Sequence, residues 1–273
     1  MKPSLSLQTA LAAAITTAAF VVPFTSTAQA AETTGAAGKP TVVLVHGAFA
    51  DSSSWDGVIA KLEKDGYNVI AAGNPLRSVK GDGAYVASLL KSIPGSVVLV
   101  GHSYGGSVIS AAAAGAANVK ALVYVAAFAP EAGETAAGLS GKFPGSTLGP
   151  TLAPPVALAD GGKDLYIQKD KFPAQFAADV PADKARLMAA GQRPITDGAL
   201  NEASPAPAWK TIPSWFIYGT ADKNIPPASQ AFMAKRANAK DTVVVKGASH
   251  VVMTSHPAEV AKLIEAAAAG VAK

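Results

Sequence analysis

A serine flanked by glycines, Ser103, is the residue whose surroundings point most directly to covalent chemistry. The Val-Val-Leu-Val run at 97–100 before it is short and mostly β-branched, which is typical of a buried strand, and residues 107–115 after it have helical composition. A serine in a Gly-x-Ser-x-Gly pattern between a strand and a helix occupies a sharp turn, where glycines let the neighbouring backbone approach closely. We therefore predict an exposed Ser103 hydroxyl beside a helix N-terminus, as a nucleophile requires.

A serine hydroxyl attacks a carbonyl at neutral pH only when a base takes its proton. Of the four histidines, His250 follows the last predicted strand on a glycine-containing loop, from which its ring can reach the carboxyl edge of a sheet. His46 and His102 lie inside glycine-containing turns, where we expect local packing or hydrogen bonding. His256 precedes a proline at a helix start, where we expect a solvent-facing residue. We therefore predict His250 as the base.

The base in turn needs a carboxylate that fixes its tautomer and stabilises its charged form. In folds with this strand-turn-helix nucleophile, the acid follows a strand and lies between the serine and the histidine along the chain. Asp222 meets both conditions, because it follows the apolar run at 214–218 after a short turn. Glu131 also follows a strand and is the competing acid, although we expect it to be a surface charge.

Attack by a serine on a carbonyl creates an oxyanion that needs two hydrogen-bond donors. The backbone N–H of Tyr104, directly after the nucleophile, is one candidate, and the N–H of Ala48, in the loop after the first strand, is the other. Metal and nucleotide binding are not predicted, because the sequence has no HxxxH pair, carboxylate cluster or GxxxxGK[ST] loop. We expect no metal and no cofactor.

Strand-like and helical runs alternate along the chain before residue 129, and the sheet resumes after residue 213. This alternation predicts an α/β fold with a mostly parallel, doubly wound sheet, whose strand ends would carry the candidate catalytic residues. The predicted strands are 41–45, 68–72, 97–100, 120–126, 214–218 and 242–245, and the predicted helices are 55–64, 84–93, 107–115, 226–236 and 257–269.

Residues 129–212, between the strands at 120–126 and 214–218, interrupt this alternation. They are rich in Pro and Gly, with helical patches near 164–176 and 182–190 and no strand pattern. A segment of this length inside a compact domain is typically a lid or a binding insertion. A linker between two domains is the alternative, but the residues that follow are too few for a second core. We predict a cap whose large apolar side chains cover the site, namely Phe143, Leu152, Tyr166, Phe172 and Phe176.

The N-terminus has the features of an export signal. Lys2 supplies a positive charge, residues 7–22 are largely apolar, and Ala-Gln-Ala at 28–30 matches a small-residue cleavage site. We predict a signal peptide at residues 1–30, cleaved on export to the periplasm or the medium, and a flexible leader at 31–39, with no stable membrane insertion afterwards. A membrane anchor is the alternative, but the apolar run is shorter than the ~20 residues of a membrane span.

The amino-acid composition indicates the number of domains and excludes some kinds of site. The chain has 273 residues, 49% of them hydrophobic, which is enough for one sizeable core, and we place a single domain at residues 40–273. The absence of cysteine excludes disulfides, thiol catalysis and thiolate metal sites. The net charge of +4 comes from scattered Lys and Arg, which argues against a nucleic-acid partner. No pattern indicates an oligomeric state.

Four motifs resemble those of a known superfamily: Val-Leu-Val-His-Gly-Ala, Gly-His-Ser-Tyr-Gly-Gly, Tyr-Gly-Thr-Ala-Asp-Lys-Asn-Ile-Pro and Gly-Ala-Ser-His. They look like those of the α/β-hydrolases, and more narrowly of the group that contains plant methylesterases of the salicylate-binding type, hydroxynitrile lyases and small bacterial esterase relatives. The resemblance covers residues 40–266 and implies an α/β-hydrolase fold with the triad Ser103, Asp222 and His250, which agrees with the choice made from the residues themselves.

Two positions separate esterases from lyases within this group. The lyases carry a threonine between the His and the Ala of the first motif and a lysine directly after the catalytic histidine. Gly47 and Val251 stand there in this sequence, so the resemblance implies an esterase. The expected function is an exported serine carboxylesterase that hydrolyses small to medium carboxylic esters through an acyl-enzyme. Carbon–carbon bond hydrolases, cofactor-free perhydrolases and a ligand-binding member without turnover share the triad and are the alternatives.

Overall fold

The computed structural model describes residues 38–271. The predicted signal peptide at 1–30 and most of the predicted leader at 31–39 lie outside the described residues. The strands, in chain order, are β1 (Thr41–Val45), β2 (Val69–Ala72), β3 (Val97–His102), β4 (Val119–Val125), β5 (Val156–Ala157), β6 (Lys163–Leu165), β7 (Ile195–Thr196), β8 (Ser214–Gly219) and β9 (Asp241–Val245).

Ten α-helices accompany these strands in the described part of the chain. They are α1 (Asp56–Lys64), α2 (Val79–Lys91), α3 (Tyr104–Ala112), α4 (Ala136–Gly141), α5 (Phe172–Phe176), α6 (Ala182–Gly191), α7 (Asp197–Asn201), α8 (Pro227–Arg236), α9 (Val252–Ser255) and α10 (Pro257–Val271). None of the helices described here is both long enough and apolar enough to cross a membrane.

A six-stranded sheet in the order β2-β1-β3-β4-β8-β9 forms the centre of the molecule. Every neighbouring pair in it is parallel, which confirms the predicted α/β fold. All residues of β1, β3 and β8 are buried, and their sequences are continuous apolar runs because helices cover both faces of the sheet. Since the strands are parallel, the turns after β1, β3 and β8 meet at one edge.

Helix α2 begins earlier than the predicted start at residue 84. Ser78 is the N-cap, and its hydroxyl accepts a hydrogen bond from the Gly81 N–H at 2.8 Å. The cap brings residues 79–83 into the helix although two of them are glycines, because it satisfies one of the unpaired donors of the first turn. The segment before the helix begins beside the loop after β1, where the Asn74 N–H donates to His46 Nε2 at 3.0 Å.

The expectation that residues 129–212 contain no strand was wrong. Strands β5, β6 and β7 form a small antiparallel sheet in this segment, and residues 163–165 are β6 rather than the start of a helix over 164–176. The helix in that region is only α5 (Phe172–Phe176), whereas the helix predicted at 182–190 is present as α6. Strands of two or three residues leave no alternation in the sequence, so only their pairing defines them.

Candidate active site

Ser103 lies between the end of β3 and the start of α3, in the turn that the motif predicts. Its backbone has φ 54° and ψ −124°, a conformation that is strained for any residue other than glycine. The turn closes because its neighbours lack side chains. A Cβ at Gly101 would lie 2.6 Å from the carbonyl oxygen of Gly105, and one at Gly105 would lie 2.5 Å from that of Val45. The strained turn directs the Ser103 hydroxyl toward His250.

The structure brings together the three predicted side chains. His250, after β9, has its Nε2 2.9 Å from the Ser103 Oγ and its Nδ1 2.8 Å from the Asp222 Oδ2. The three residues are at most 6% exposed, so the prediction of an exposed Ser103 hydroxyl was wrong: Ser103 is buried and lines a cavity. With Nδ1 protonated, the imidazole donates to the carboxylate and its Nε2 accepts from the serine hydroxyl. This is the arrangement that activates a serine.

Asp222 follows β8 in a turn whose donors fix its carboxylate. Its Oδ1 accepts hydrogen bonds from the backbone N–H groups of Asn224 at 2.8 Å and Ile225 at 3.0 Å, and its Oδ2 accepts one from the Gln230 side chain at 2.8 Å. With the His250 contact, four donors hold the buried carboxylate in one orientation. Gln230 is not predicted from the sequence, because nothing in the sequence of α8 marks this glutamine as the partner of Asp222.

The loops that carry Asp222 and His250 approach each other closely after their strands. A Cβ at Gly219 would lie 2.0 Å from the carbonyl oxygen of Ala248, so no larger residue fits at position 219 without a backbone shift. The N–H of Ala221 also donates to that carbonyl at 3.0 Å. The glycine at the end of β8 therefore lets the acid and the base meet.

The competing acid, Glu131, lies away from the serine. Its carboxylate contacts the Lys210 ammonium at 2.7 Å, and both side chains are partly exposed at the base of the 129–212 segment. The hydrogen bond from Lys210 lowers the pKa of Glu131, so this carboxylate stays ionised in a surface ion pair. The structure thus places Glu131 as the surface charge that the sequence analysis favoured.

The other histidines are not members of the triad, and apart from the His46 contact with Gly47 the polar contacts named here join them to residues distant in the sequence. His46 Nε2 accepts the Asn74 N–H at 3.0 Å and its Nδ1 lies 3.0 Å from the Gly47 carbonyl, while burial lowers the pKa of His46. His102 Nε2 lies 3.1 Å from the His250 carbonyl oxygen, and burial holds the pKa of His102 well below its usual range. His256 is half-buried rather than solvent-facing, with its Nδ1 3.5 Å from an Asp179 oxygen.

Ala48 and Tyr104, the two predicted oxyanion donors, both line the cavity at the Ser103 hydroxyl. Within residues 38–271, neither backbone N–H donates to a protein acceptor. The loop after β1 runs directly against the nucleophile, since a Cβ at Gly47 would lie 2.6 Å from the Ser103 Cβ. Donors on either side of the serine suit an oxyanion that forms at the attacked carbon.

The cavity in front of Ser103 has a volume of about 330 Å³. No Asp, Glu, Lys or Arg lines it, and its polar side chains besides Ser103, Tyr104 and His250 are those of Ser140, Ser146 and Asn224. Among the described residues, no three His, Asp or Glu side chains gather as metal ligands would. The cavity thus fits an uncharged organic molecule. Its larger apolar side chains are Phe49, Phe128, Leu148, Leu152, Phe176, Leu200 and Ile225.

The predicted apolar cover is only partly correct. Leu152 and Phe176 line the cavity, and the Phe172 ring supports Phe176 from behind with centroids 4.9 Å apart. Phe143 instead packs on the Phe232 ring outside the cavity, with centroids 5.8 Å apart, and Tyr166 is half-buried away from it. The large apolar residues of the 129–212 segment therefore fall into two groups: some line the cavity, and the others lie outside it.

Comparisons with known proteins identify relatives over most of the chain. A pyrethroid hydrolase from Sphingobium wenxiniae is 28% identical over 250 residues, which cover 82% of this chain and 85% of that protein. The crystal structure of polyneuridine aldehyde esterase superimposes with a TM-score of 0.72 at 20% identity, covering 84% of this chain and 98% of that chain.

A methylesterase from Arabidopsis superimposes with a TM-score of 0.68 at 19% identity, covering 85% of this chain and 99% of that chain. These two structures share the fold that the motifs' resemblance implies. The family model for the alpha/beta hydrolase family matches residues 42–263, which is more than half of the chain. The chain therefore belongs to the alpha/beta hydrolase family.

Proposed function

We propose that the protein is a serine carboxylesterase that hydrolyses uncharged carboxylic esters through an acyl-enzyme on Ser103. The observation that carries this proposal is the continuous hydrogen-bonded chain from Asp222 through His250 to Ser103, which ends in the cavity. The pyrethroid hydrolase, the esterase and the methylesterase among its relatives support ester hydrolysis as the reaction type.

In the first step, the Ser103 oxygen attacks the ester carbonyl carbon while His250 Nε2 takes the hydroxyl proton. Asp222 stabilises the imidazolium that results, and the N–H groups of Ala48 and Tyr104 donate to the oxyanion. The tetrahedral intermediate collapses as the bond from carbon to the alcohol oxygen breaks. His250 gives its proton to the departing alcohol, and the acyl group remains on Ser103.

In the second step, a water molecule takes the place of the alcohol. His250 Nε2 removes its proton as the water oxygen attacks the acyl carbonyl, and the same two N–H groups hold the second oxyanion. The bond from carbon to the Ser103 oxygen then breaks, and His250 returns its proton to the serine. The carboxylic acid leaves and the enzyme is restored without a cofactor.

The cavity indicates the substrate class. Its volume of about 330 Å³ and its mostly apolar lining suit small to medium acyl or aryl groups. No lysine or arginine lines it, so a substrate with a free carboxylate would be buried without a counterion, which is unfavourable. Uncharged esters are the proposed substrates.

We also propose that the enzyme is exported and acts in the periplasm or the medium. The sequence of residues 1–30 supports this, with Lys2, the apolar run and the Ala-Gln-Ala site. Expression of the full chain, followed by N-terminal sequencing of the protein recovered from the periplasmic and extracellular fractions, tests it. A mature protein that begins at Ala31 is the expected result, and retention of the uncleaved chain in the cells would contradict it.

Kinetics of p-nitrophenyl acetate hydrolysis test the proposed reaction. Ser103→Ala should lower kcat/KM by about 10⁵-fold, since the nucleophile is lost. Ser107→Ala is the matched control, because Ser107 is a buried serine one helical turn later whose hydroxyl has no partner in the described structure, and it should stay within twofold. A Ser103→Ala variant that keeps a tenth of the rate would overturn the mechanism.

The number of turnovers per enzyme molecule distinguishes an esterase from a ligand-binding member, and substrate preference distinguishes it from a carbon–carbon bond hydrolase. An esterase should release product over many cycles, whereas a ligand-binding member should stall after one turnover. A carbon–carbon bond hydrolase should cleave ester panels poorly compared with diketones of equal size. Multiple turnovers on acetate and butyrate esters, lost in Ser103→Ala, are the expected outcome.

A further inference from the structure

Both proposed oxyanion donors are supported by one stretch of chain, residues 74–82, which we call the support segment. It runs from the end of the β2 loop into the first turn of α2. Neither Asn74 nor Asp82 lines the cavity, and both are at most 1% exposed. A buried polar side chain is unfavourable unless it is hydrogen-bonded. The hydrogen bonds of Asn74 and Asp82 therefore hold the residues that they contact.

One end of the support segment holds the loop that carries Ala48. The backbone N–H of Asn74 donates to His46 Nε2 at 3.0 Å, and the Asn74 side-chain amide donates to the His46 carbonyl at 2.9 Å. His46 Nδ1 in turn lies 3.0 Å from the Gly47 carbonyl. Three hydrogen bonds therefore hold the two residues that directly precede Ala48.

The other end of the support segment holds Tyr104. The Tyr104 hydroxyl donates to the Asp82 Oδ2 at 3.0 Å, and the same oxygen accepts the Arg77 N–H at 3.1 Å. The Tyr104 ring is fully buried, and burial next to Asp82 raises the pKa of Tyr104, which keeps the hydroxyl protonated as a donor. Because Tyr104 carries its own proposed oxyanion donor, anchoring its side chain fixes the direction of its N–H.

A phenylalanine at position 104 would bury nearly the same apolar area, so packing alone does not require the hydroxyl. The same holds for Asn74, whose amide contacts only the His46 carbonyl, while its oxygen has no partner within residues 38–271. The Asn74 amide holds main chain that leads into the Ala48 donor, and the Asp82 carboxylate holds the side chain of Tyr104, which carries the other donor. An oxyanion donor displaced by about 1 Å loses much of its effect on the transition state.

We propose that Asn74 and Asp82 are positioning residues, which set the Ala48 and Tyr104 N–H groups for the oxyanion of the proposed esterase reaction. The inference rests on the proposed function, since it assigns a role within that reaction. Disturbing either residue weakens binding of the tetrahedral state and leaves binding of the ground-state ester nearly unchanged. A purely structural role would lower stability without that selectivity.

The test uses two variants with matched controls. Asn74→Ala removes the amide, and Tyr104→Phe removes the hydroxyl while keeping the backbone N–H. Asn118→Ala is the control for the first, because the Asn118 amide donates to the Leu90 and Ile93 carbonyls at the opposite edge of the sheet. Tyr124→Phe is the control for the second, because Tyr124 is also fully buried with its hydroxyl 2.8 Å from Ser110 Oγ.

We expect Asn74→Ala and Tyr104→Phe each to lower kcat about tenfold with KM within twofold, a fraction of the 10²–10³ that loss of a whole oxyanion donor causes. The inhibition constant of an alkyl trifluoromethyl ketone, which forms a tetrahedral adduct, should rise by the same factor. Both controls should keep kcat and the inhibition constant within twofold at a similar loss of Tm. Asp82→Asn, which keeps an oxygen acceptor for the Tyr104 hydroxyl, should retain more kcat than Asp82→Leu.

Equal kcat and inhibition constants in the variants and their controls would overturn the inference. So would a loss expressed only in KM, because that indicates a defect in ground-state binding. Failure of the proposed function has a different signature, namely a Ser103→Ala variant as active as the wild type.

Discussion

The edge of the central sheet and the 129–212 segment are each stabilised by different kinds of contact. At the sheet edge, the turns that carry Ser103 and His250 are fixed by continuous strand pairing. Glycines there lie so close to neighbouring main chain that a Cβ would collide with it. In the 129–212 segment the paired strands are only two or three residues long, and side-chain hydrogen bonds add to them: Gln192 bonds the N–H and the carbonyl of Ile167 and the carbonyl of Ala189.

This difference assigns two tasks to two regions. The sheet edge keeps the candidate catalytic atoms at fixed distances, which nucleophilic catalysis requires. The 129–212 segment supplies side chains such as Leu148, Leu152 and Leu200 to the cavity, on short helices and loops that tolerate exchange. Reaction chemistry should therefore respond to changes at the sheet edge, and substrate choice to changes in the 129–212 segment.

The largest effect should come from the acid of the sheet edge. Asp222→Asn should lower kcat by about 10⁴-fold, because an amide does not hold His250 in the tautomer that accepts the Ser103 proton. Asp160→Asn is the matched change in the 129–212 segment, where the Asp160 carboxylate accepts the Gly162 N–H in an exposed turn, and it should alter kcat less than threefold. Steady-state kinetics with p-nitrophenyl butyrate measure both, and similar losses would break the contrast.

Glycine-to-alanine substitutions should affect the free energy of unfolding differently in the two regions. Gly101→Ala should lower the free energy of unfolding by about 3 kcal/mol or more, because its Cβ would meet backbone atoms of Gly105 and Gly106 at 2.6–2.9 Å. Gly191→Ala, at the end of α6 with open space around its Cβ, should leave stability unchanged or raise it by up to about 1 kcal/mol. Urea unfolding, monitored by circular dichroism, measures both free energies. A destabilised Gly191→Ala variant would contradict the expected difference between the regions.

Filling the cavity should change substrate choice with little change in chemistry. Leu148→Trp should lower kcat/KM for a hexanoate ester about tenfold relative to acetate, because the larger ring takes the space of the acyl chain. Leu187→Trp is the control, since Leu187 is 68% exposed on α6 outside this cavity, and it should leave the ratio unchanged. An unchanged ratio in Leu148→Trp would place acyl binding elsewhere.

The smallest effect concerns the pH dependence of stability in the support segment. Burial raises the pKa of Asp82 in the folded protein above its unfolded value, so the folded state holds the proton more tightly. This contribution is fully present below the unfolded pKa and is lost as pH rises through the folded pKa. Asp82→Asn has no such proton, so its Tm relative to wild type should increase from pH 4 to pH 7, and a constant difference would contradict the raised pKa.

The parts that the sequence predicts well are those that local residues determine. A run of β-branched residues followed by glycine-flanked Ser103 defines a strand and its turn without reference to the rest of the chain. Asp222 and His250 could be chosen because parallel strands bring their ends to one edge. The hydrogen bonds among the three residues follow from that topology.

The parts that the sequence analysis missed depend on partners far along the chain. Asp164 is in a strand of three residues and pairs with Arg77, 87 positions away, so no local pattern reveals it. Asn74 bonds to His46, 28 positions away. Gln230 is only 8 positions from Asp222 but reaches its carboxylate because the turn before α8 folds back. Asp82, a lone carboxylate on the buried side of α2, was the available signal for a polar contact in the core.

The central claim, that Ser103 is the nucleophile at the sheet edge, is tested most directly by covalent labelling. Incubation of the full chain with an alkyl fluorophosphonate should add one phosphonyl group, which fragmentation mass spectrometry should locate on Ser103, and His250→Ala should slow the labelling strongly. Ser103→Ala should take no label while Ser107→Ala labels as the wild type does. A label on another residue, or undiminished ester hydrolysis by a protein whose Ser103 is phosphonylated, would contradict the account.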